Sequence, residues 1–236
     1  MIRRCVSCKR FNARTILPPP TPDLPSFRLN CDFAFQHTGL DFAGPLYIKE
    51  KCCKVSSLKV YILLLTCATS RALHLELVPD LGNESFLRAV TRFFARKGYP
   101  DLVVHDNAKT FRSKEVKHFF VSKGVNQEFI LASAPWWGGL YERLIRNVKS
   151  TLRKILGKAL LSYEELLTAL CEVEGTINSR PLTYLNEDDL DSLLTPFHLI
   201  FGRNVLSKNN QSERARKDTF QLSKRVKYLS TLIEHF

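Results

Sequence analysis

The sequence predicts a mixed α/β fold, in which a five-stranded sheet is flanked by helices. Segments rich in β-branched and large apolar residues alternate with segments whose apolar residues recur at helical spacing. Two early strand segments are separated only by the short ATSR link, which indicates a hairpin. The apolar content of 44% and the charged content of 25% are typical of a globular protein.

Five segments have the composition of strands. VYILLLTCA (60–68) is the longest apolar run and predicts a buried central strand. DLVVHD predicts a short buried strand with Asp106 at its end. The strands are predicted over 36–48 (ending near Gly44-Pro45), 59–67, 71–78, 101–106 and 127–132.

Four segments have helical patterning with recognisable ends. In the first, Asn83 is a candidate N-cap and Gly98 a candidate exit residue. In the last, Ser162 and Glu165 have the spacing of a capping box. The helices are predicted over 83–98, 113–123, about 138–156 and 162–179.

The chain divides into four regions. Residues 1–14 are basic and contain Cys5 and Cys8, which have the spacing of half a structural zinc site. Residues 15–26 contain five prolines in twelve residues, which predicts a stiff linker. A globular core is predicted over 27–205, followed by a basic C-terminal extension over 206–236.

Composition also limits the classes of partner. Thirty-five Lys and Arg against 23 Asp and Glu give a net charge of +12, which favours a polyanionic partner over a neutral one. The N-terminal sequence MIRRCVSCKR is not a signal peptide, and no apolar run is long enough for a membrane span, so no membrane partner is expected. Seven cysteines without framework spacing indicate reduced thiols and an intracellular protein.

Three acidic residues are the candidate catalytic and metal-binding groups: Asp41 in TGLDFAGPL, Asp106 in LVVHDNAKTF and Glu142 in PWWGGLYERLI. Carboxylates brought together from separate elements are suitable ligands for Mg²⁺ or Mn²⁺, and two such ions support phosphoryl transfer. With so basic a chain, the expected substrate is a nucleic-acid phosphodiester. Each acid also has a purely structural interpretation, as a turn residue, an Asx turn or a first-turn helix carboxylate.

The predicted helix that begins near Glu142 also carries basic residues. Arg146, Lys149 and Arg153 follow Glu142 at helical spacing and share its face, which makes them candidate phosphate contacts. The alternative is a solvated helix face with no ligand. Arg143 on the same helix, and Asn107 and Lys109 after Asp106, complete the residues that we assign to nucleic-acid binding.

These motifs resemble the D,D-35-E core of retroviral-type integrases. TGLDFAGPL, HDNAKTF and the P-x-x-G-G-x-Y-E-R segment occur in that order, and 35 residues lie between Asp106 and Glu142. INSRPLTY (177–184) and LTPFHLIFGR (194–203) resemble downstream segments of the BEL/Pao group of LTR retrotransposons. The resemblance is densest over 36–203.

The resemblance implies a ribonuclease-H-like fold and a reaction. Asp41 is expected to bridge two Mg²⁺ or Mn²⁺ ions, Asp106 to hold one and Glu142 the other. The family removes nucleotides from the 3′ end of element DNA and joins that 3′-OH to target DNA. The implied partners are element ends, target DNA and further copies of the chain, with action in the nucleus.

The chain also departs from the family pattern. His105 and Ala108 stand where relatives often have Ser and Gly. The two histidines that complete the family's zinc domain with Cys5 and Cys8 are missing, so no zinc is expected here. The sequence is therefore expected to be a fragment of a polyprotein or a degenerate genomic copy.

Two other functions remain open. The first is a catalytically silent nucleic-acid-binding module, truncated or recruited by its host. The second is a ribonuclease H of the same fold, which the 35-residue spacing and a helical Glu142 make the weaker alternative. The sequence contains no Walker, G-x-S-x-G or H-E-x-x-H motif to support an NTPase, an α/β-hydrolase or a zincin.

Overall fold

The computed structural model describes residues 24–49, 57–130, 139, 141–156, 159–186, 189–203 and 205, without the side chains of 184–192. The segments 1–14 and 206–236, with Cys5 and Cys8, lie outside these residues. So does most of the proline-rich segment.

A mixed five-stranded sheet forms the centre of the described chain, as the sequence predicts. The strands are β1 (His37–Lys49), β2 (Ser57–Cys67), β3 (Leu73–Val78), β4 (Leu102–His105) and β5 (Asn126–Phe129). Their spatial order is β3-β2-β1-β4-β5. The first three strands are antiparallel neighbours, whereas β4 is parallel to both β1 and β5.

Four helices flank this sheet, and one predicted cap is wrong. The N-cap of the first helix is Gly82 rather than Asn83. The side-chain amide of Asn83 does not cap the helix and instead donates to the Glu115 carboxylate at 2.7 Å. The capping box of Ser162 and Glu165 is confirmed. The helices are α1 (Asn83–Lys97), α2 (Lys114–Ser122), α3 (Glu142–Leu156) and α4 (Tyr163–Asn178). No helix in the described ranges is both long enough and apolar enough to cross a membrane.

Helix α3 begins at Glu142, four residues later than predicted from its amphipathic pattern. Gly139 lies before it in 3-10 conformation, and Tyr141 is in a turn. The Ile145 amide donates to the Tyr141 carbonyl at 2.9 Å, which opens the helical hydrogen-bond pattern. Glycine is a poor helix former, which accounts for the late start.

Three short elements follow α4 that the sequence pattern did not predict. Strands β6 (Thr183–Asn186) and β7 (Asp189–Leu194) form a separate two-stranded antiparallel sheet. Helix α5 (Pro196–Phe201) begins with a capping box between Thr195 and His198. Strands of four and six residues are too short to give a clear alternation of apolar and polar residues.

The two faces of the five-stranded sheet bury separate cores. On one face, α1 and α2 contribute Phe86, Phe93 and Phe120 to a core with Leu40 of β1. On the other face, α3 and α4 pack their apolar residues against β2 and β3. Helix α3, whose first residue is the candidate catalytic Glu142, packs on this second face.

Candidate active site

Parallel strands β1 and β4 place Asp41 and Asp106 side by side. Leu40 pairs with His105 at the end of the parallel ladder, so the next residues along the two strands are the two acids. Successive side chains of a strand point to opposite faces. Leu40 faces the α1/α2 core and Ala43 the α3/α4 core, so Asp41 projects on the α3 side.

Helix α3 brings Glu142 to the same side of the sheet. Buried Leu144, Ile145 and Val148 fix the helix against the α3/α4 core. Glu142 is the first helical residue and is exposed, at the positive end of the helix dipole.

The Asp41 carboxylate is affected electrostatically by the other two acids. Burial raises the pKa of Asp41 to about 6, and the negative charges of Asp106 and Glu142 act in the same direction. The Phe42 amide, which donates to Asp41 Oδ1 at 2.6 Å, and the positive charge of Lys149 oppose this rise in the pKa. Asp41 is therefore the electrostatic centre of the group.

The donor chemistry of this group suits a divalent metal. Three carboxylates offer the hard oxygen ligands that Mg²⁺ and Mn²⁺ prefer, and a cation would relieve the repulsion that raises the pKa of Asp41. Across the described ranges, no three His, Cys, Asp or Glu side chains already stand where they could hold one ion together. The residues thus fit the ions in chemistry and electrostatics, without a formed coordination shell.

Asp106 also has the local structural role that the sequence allowed. Its Oδ1 accepts the Ala108 amide at 3.0 Å, which makes an Asx turn after β4. The turn is rigid because buried His105 lies directly before it. The His105 Nδ1 donates to the Asp106 carbonyl oxygen at 2.8 Å. The side-chain amide of Gln127 donates to the other ring nitrogen of His105, Nε2, at 2.7 Å. Burial lowers the pKa of His105, so the ring is neutral with its proton on Nδ1.

Asn107 and Lys109, the two residues after β4 that were predicted to bind nucleic acid, differ in how exposed they are. Asn107 is half-buried and donates its side-chain amide to the Ile130 carbonyl at 3.0 Å, which ties the Asp106 turn to the end of β5. Lys109 is exposed. Asn107 therefore has a structural bond within the chain, whereas Lys109 is accessible to a ligand.

Arg146, Lys149 and Arg153 form an exposed line along α3, which we call the phosphate track. Together with Glu142 they line an open cavity of about 460 Å³. Of the three, Lys149 is the one whose charge acts on the pKa of Asp41. Arg143 is exposed as well, but its charge acts on Arg71, away from the track.

Sequence reasoning missed one polar group at the site, the hydroxyl of Tyr141. This residue is only 2% exposed, and its hydroxyl finds no hydrogen-bond partner among the described residues. Burial raises the pKa of Tyr141, and the charges of Asp41, Asp106 and Glu142 raise it further. The only sequence signal was a tyrosine, rather than a wholly apolar residue, on the buried face directly before Glu142.

Comparisons with known proteins show which sequences and folds this chain resembles. No protein-family model matches the chain. Among curated proteins it is similar to "Uncharacterized protein K02A2.6" of Caenorhabditis elegans, with 23% identity over 209 residues, 87% of this chain and 14% of that protein.

Solved structures of retroviral integrases share the architecture. In the cryoEM structure of the simian T-cell lymphotropic virus intasome with PP2A regulatory subunit B56 gamma, one chain matches with a TM-score of 0.59 and 17% identity, covering 87% of this chain and 66% of that one. The HTLV-2 integrase catalytic core domain in complex with magnesium matches in its trimeric form with a TM-score of 0.51 and 19% identity, covering 72% of this chain and 99% of that one. The dimeric form gives a TM-score of 0.51 and 18% identity, covering 71% and 97%.

The likeness to the solved structures concerns the arrangement of the backbone, whereas the similarity to the C. elegans protein is one of sequence. The chain spans 14% of the length of the C. elegans protein and 66% of the simian-virus chain. The HTLV-2 core domain, by contrast, is matched over nearly its whole length. The described chain therefore has the ribonuclease-H-like fold of an integrase catalytic core, with a mixed five-stranded sheet flanked by helices.

Proposed function

We propose that this chain is the catalytic core of a BEL/Pao-like retrotransposon integrase, which processes the 3′ ends of element DNA and joins them to target DNA. The observation that carries the proposal is the electrostatic coupling of Asp41 to Asp106, Glu142 and Lys149 on an integrase-core fold. The BEL/Pao assignment rests on the INSRPLTY and LTPFHLIFGR segments.

The three acids are proposed to hold two Mg²⁺ or Mn²⁺ ions. Asp41, Asp106 and Glu142 would supply the carboxylate oxygens that bind them. When bound, the ions would activate an attacking oxygen and stabilise the leaving one. The HTLV-2 core domains that share the fold were determined in complex with magnesium.

The chain's own residues orient the acids and the substrate. The neutral His105 ring and the Asx turn hold Asp106 in place, and the packing of α3 against the sheet fixes the start of the helix, where Glu142 lies. The phosphate track begins one helical turn from Glu142, so a DNA backbone lying along it would bring a phosphodiester to the carboxylates.

The partners follow from the same proposal. Element ends and target DNA would be the substrates, and several copies of the chain would act together, since the two ends of an element must be joined to one target. Such an enzyme would act in the nucleus. The net charge of +12 supports a polyanionic partner but does not identify it.

A strand-transfer assay tests the proposed activity. A labelled duplex with the element's terminal sequence is incubated with an unrelated duplex, with Mg²⁺, Mn²⁺ or EDTA. We expect shortened and joined products that depend on the metal and are absent with Glu142→Gln. DNA binding without products under any of these conditions would favour the catalytically silent module, and cutting of RNA in an RNA–DNA hybrid would favour a ribonuclease H.

Neutralising the phosphate track should weaken DNA binding without regard to sequence. Each of Arg146, Lys149 and Arg153 that binds a phosphate releases counterions from the DNA. Replacing all three with Gln should therefore reduce the slope of log affinity against log salt by roughly one unit for each phosphate that is no longer bound. The measurement is titration of labelled duplexes of unrelated sequence at several salt concentrations in EDTA.

Arg88→Gln provides the matched control for this prediction. Arg88 is an exposed helical arginine on the opposite side of the sheet, paired with Glu84 at 2.6 Å. Its replacement should leave the slope unchanged. If the triple track variant behaves like the Arg88 variant, the face of α3 is merely solvated.

A further inference from the structure

Three arginines from separate parts of the chain lie around Arg71: Arg180 donates to its carbonyl oxygen, and the charges of Arg28 and Arg143 act on its guanidinium group. Burial lowers the pKa of Arg71, and the positive charges of Arg28 and Arg143 lower it further. Burial also lowers the pKa of Arg180, to about 10, with the charge of Arg71 as the second cause. The pKa of Arg180 is still well above 7, so its guanidinium group stays charged at neutral pH. We call Arg28, Arg71, Arg143 and Arg180 the arginine cluster.

The members come from four different elements. Arg28 ends the 3-10 helix Ser26–Arg28, and Arg71 lies in the turn between β2 and β3. Arg143 is the second residue of α3, and Arg180 follows the end of α4. The fold therefore concentrates positive charge at one place that no sequence segment shows by itself.

The turn that carries Arg71 is rigidly held. Its φ of 58° is in the left-handed region, which is unusual for a residue other than glycine. Arg180 Nη2 donates to the Arg71 carbonyl at 2.7 Å, and its Nη1 donates to the Ile177 carbonyl at 2.7 Å. Asn178 bonds both the amide and the carbonyl of Leu73, at 2.9 and 2.8 Å. Arg180 is thus a positioning residue, and the backbone at Arg71 is fixed before any ligand arrives.

Arg28 supplies a second and independent observation. Its Nε is buried and has no hydrogen-bond partner among the described residues. Arg28, Arg143 and Arg180 form no salt bridge with any described acid. A buried donor without an acceptor, beside several like charges, is unfavourable in the free protein and would be satisfied by an anion with several oxygen atoms.

The cluster is distinct from the phosphate track. With about 100° between successive helical residues, Arg143 lies about 100° around α3 from Glu142. The members of the track lie within about 40° of Glu142 by the same geometry. A single straight DNA backbone along the track would therefore not also follow the cluster.

We propose that the arginine cluster binds backbone phosphates of DNA along a second line of contact, beside Glu142 and separate from the phosphate track. The inference rests on the proposed function, because it takes DNA to be the polyanion. Guanidinium groups bind phosphate oxygens in pairs, and spaced phosphates suit arginines drawn from several elements. Arg28, Arg71 and Arg143 bind the phosphates, while Arg180 holds the turn.

The test is the salt dependence of duplex binding in EDTA, where no reaction takes place. Arg28→Gln, Arg71→Asn and Arg143→Gln are combined, since asparagine tolerates the left-handed conformation at position 71. Each phosphate that is no longer bound should reduce the slope of log affinity against log salt by about 0.9, so the slope of the triple variant should fall by roughly two to three units. Arg88→Gln is the control, and combining this triple variant with the track variant should reduce the slope further.

A double variant with Arg28→Gln and Arg143→Gln leaves the turn and Arg180 intact. It should fold like the parent in thermal unfolding, and its slope should fall by roughly one to two units. An unchanged slope in both variants, with the track variant still effective, would overturn the cluster alone. If the parent protein itself does not bind duplex DNA, the proposed function fails as well.

Discussion

Replacing Asp41 by Asn is expected to abolish metal-dependent DNA cutting and joining while leaving duplex binding nearly intact. The charges of Asp106 and Glu142 both act on this carboxylate, so its replacement removes the proposed metal ligand at the centre of the acidic group. A decrease of more than about 100-fold in rate is expected, because charge stabilisation is removed from the transition state. Asp106→Asn and Glu142→Gln should behave in the same way.

The same substitution should stabilise the metal-free fold. The folded protein raises the pKa of Asp41 from 3.8 to about 6, so between these values it binds more protons than the unfolded chain. Stability therefore falls as pH rises through this window, and above it the folded state carries the full penalty of about 2–3 kcal/mol. Asparagine cannot ionise and should avoid that penalty, while its side-chain oxygen can still accept the Phe42 amide.

Urea unfolding in EDTA at pH 4 and pH 8 measures this effect. The Asn variant should exceed the parent in stability at pH 8 and match it more closely at pH 4. Added Mg²⁺ should stabilise the parent but not the variant, because only the parent retains the ligand. Glu128→Gln, at an exposed carboxylate on β5, serves as the control and should change neither result. For the activity prediction, the contradicting result is undiminished DNA cutting and joining in the Asp41, Asp106 and Glu142 variants, which would mean that the three acids are structural.

The sequence predicted the elements whose signals are local. The apolar run of β2, the capping box at Ser162 and the amphipathic pattern of α3 each determine structure over a few residues. The three acids were proposed as a site for the same reason, since each is predicted at the end or start of such an element. In the structure the charges of Asp106 and Glu142 act on Asp41, and their role in catalysis stays a prediction.

The parts that the sequence did not predict depend on residues far apart in the chain. Asn83 is not the N-cap of α1 because Glu115, 32 residues away, accepts its amide. The influence of Lys149 on Asp41 depends on how α3 packs across the sheet. The arginine cluster brings together residues of four elements, and none of them has a sequence signal that distinguishes it from a solvated arginine.

The second large effect is expected at Glu76, a buried carboxylate on the edge strand β3. Its side chain is only 4% exposed and lies 2.7 Å from Arg92 Nε, 2.8 Å from Arg96 Nη1 and 3.2 Å from His74 Nε2. Glu174 of α4 reaches the same histidine at 3.2 Å and accepts the Leu75 amide at 2.8 Å. This network connects α1 and α4, on opposite faces of the sheet, around its edge.

The pH dependence of the stability that this network contributes follows from the pKa values of His74 and Glu76. Burial lowers the pKa of His74, but hydrogen bonds to Glu174 and Glu76 outweigh it and the net pKa is above 6.5. Burial raises the pKa of Glu76, but His74 and Arg92 outweigh it and the net pKa is below 4.5. The Glu76 contribution to stability is thus lost as pH falls through its lowered pKa. The His74 contribution is lost as pH rises through its raised pKa.

Glu76→Gln should therefore destabilise the fold most between pH 4.5 and pH 6.5, since the pKa of Glu76 lies below this window and the pKa of His74 lies above it. Removing one member of a buried ion pair costs about 3–5 kcal/mol, and the partial exposure of Arg92 and Arg96 reduces this to about 2–4 kcal/mol. Glu84→Gln, which breaks the exposed pair with Arg88, should cost less than about 0.5 kcal/mol. Urea unfolding of both variants from pH 4 to pH 9 gives the comparison. If Glu76→Gln costs no more than Glu84→Gln, the network contributes no stability, and the packing of α1 and α4 alone secures the edge of the sheet.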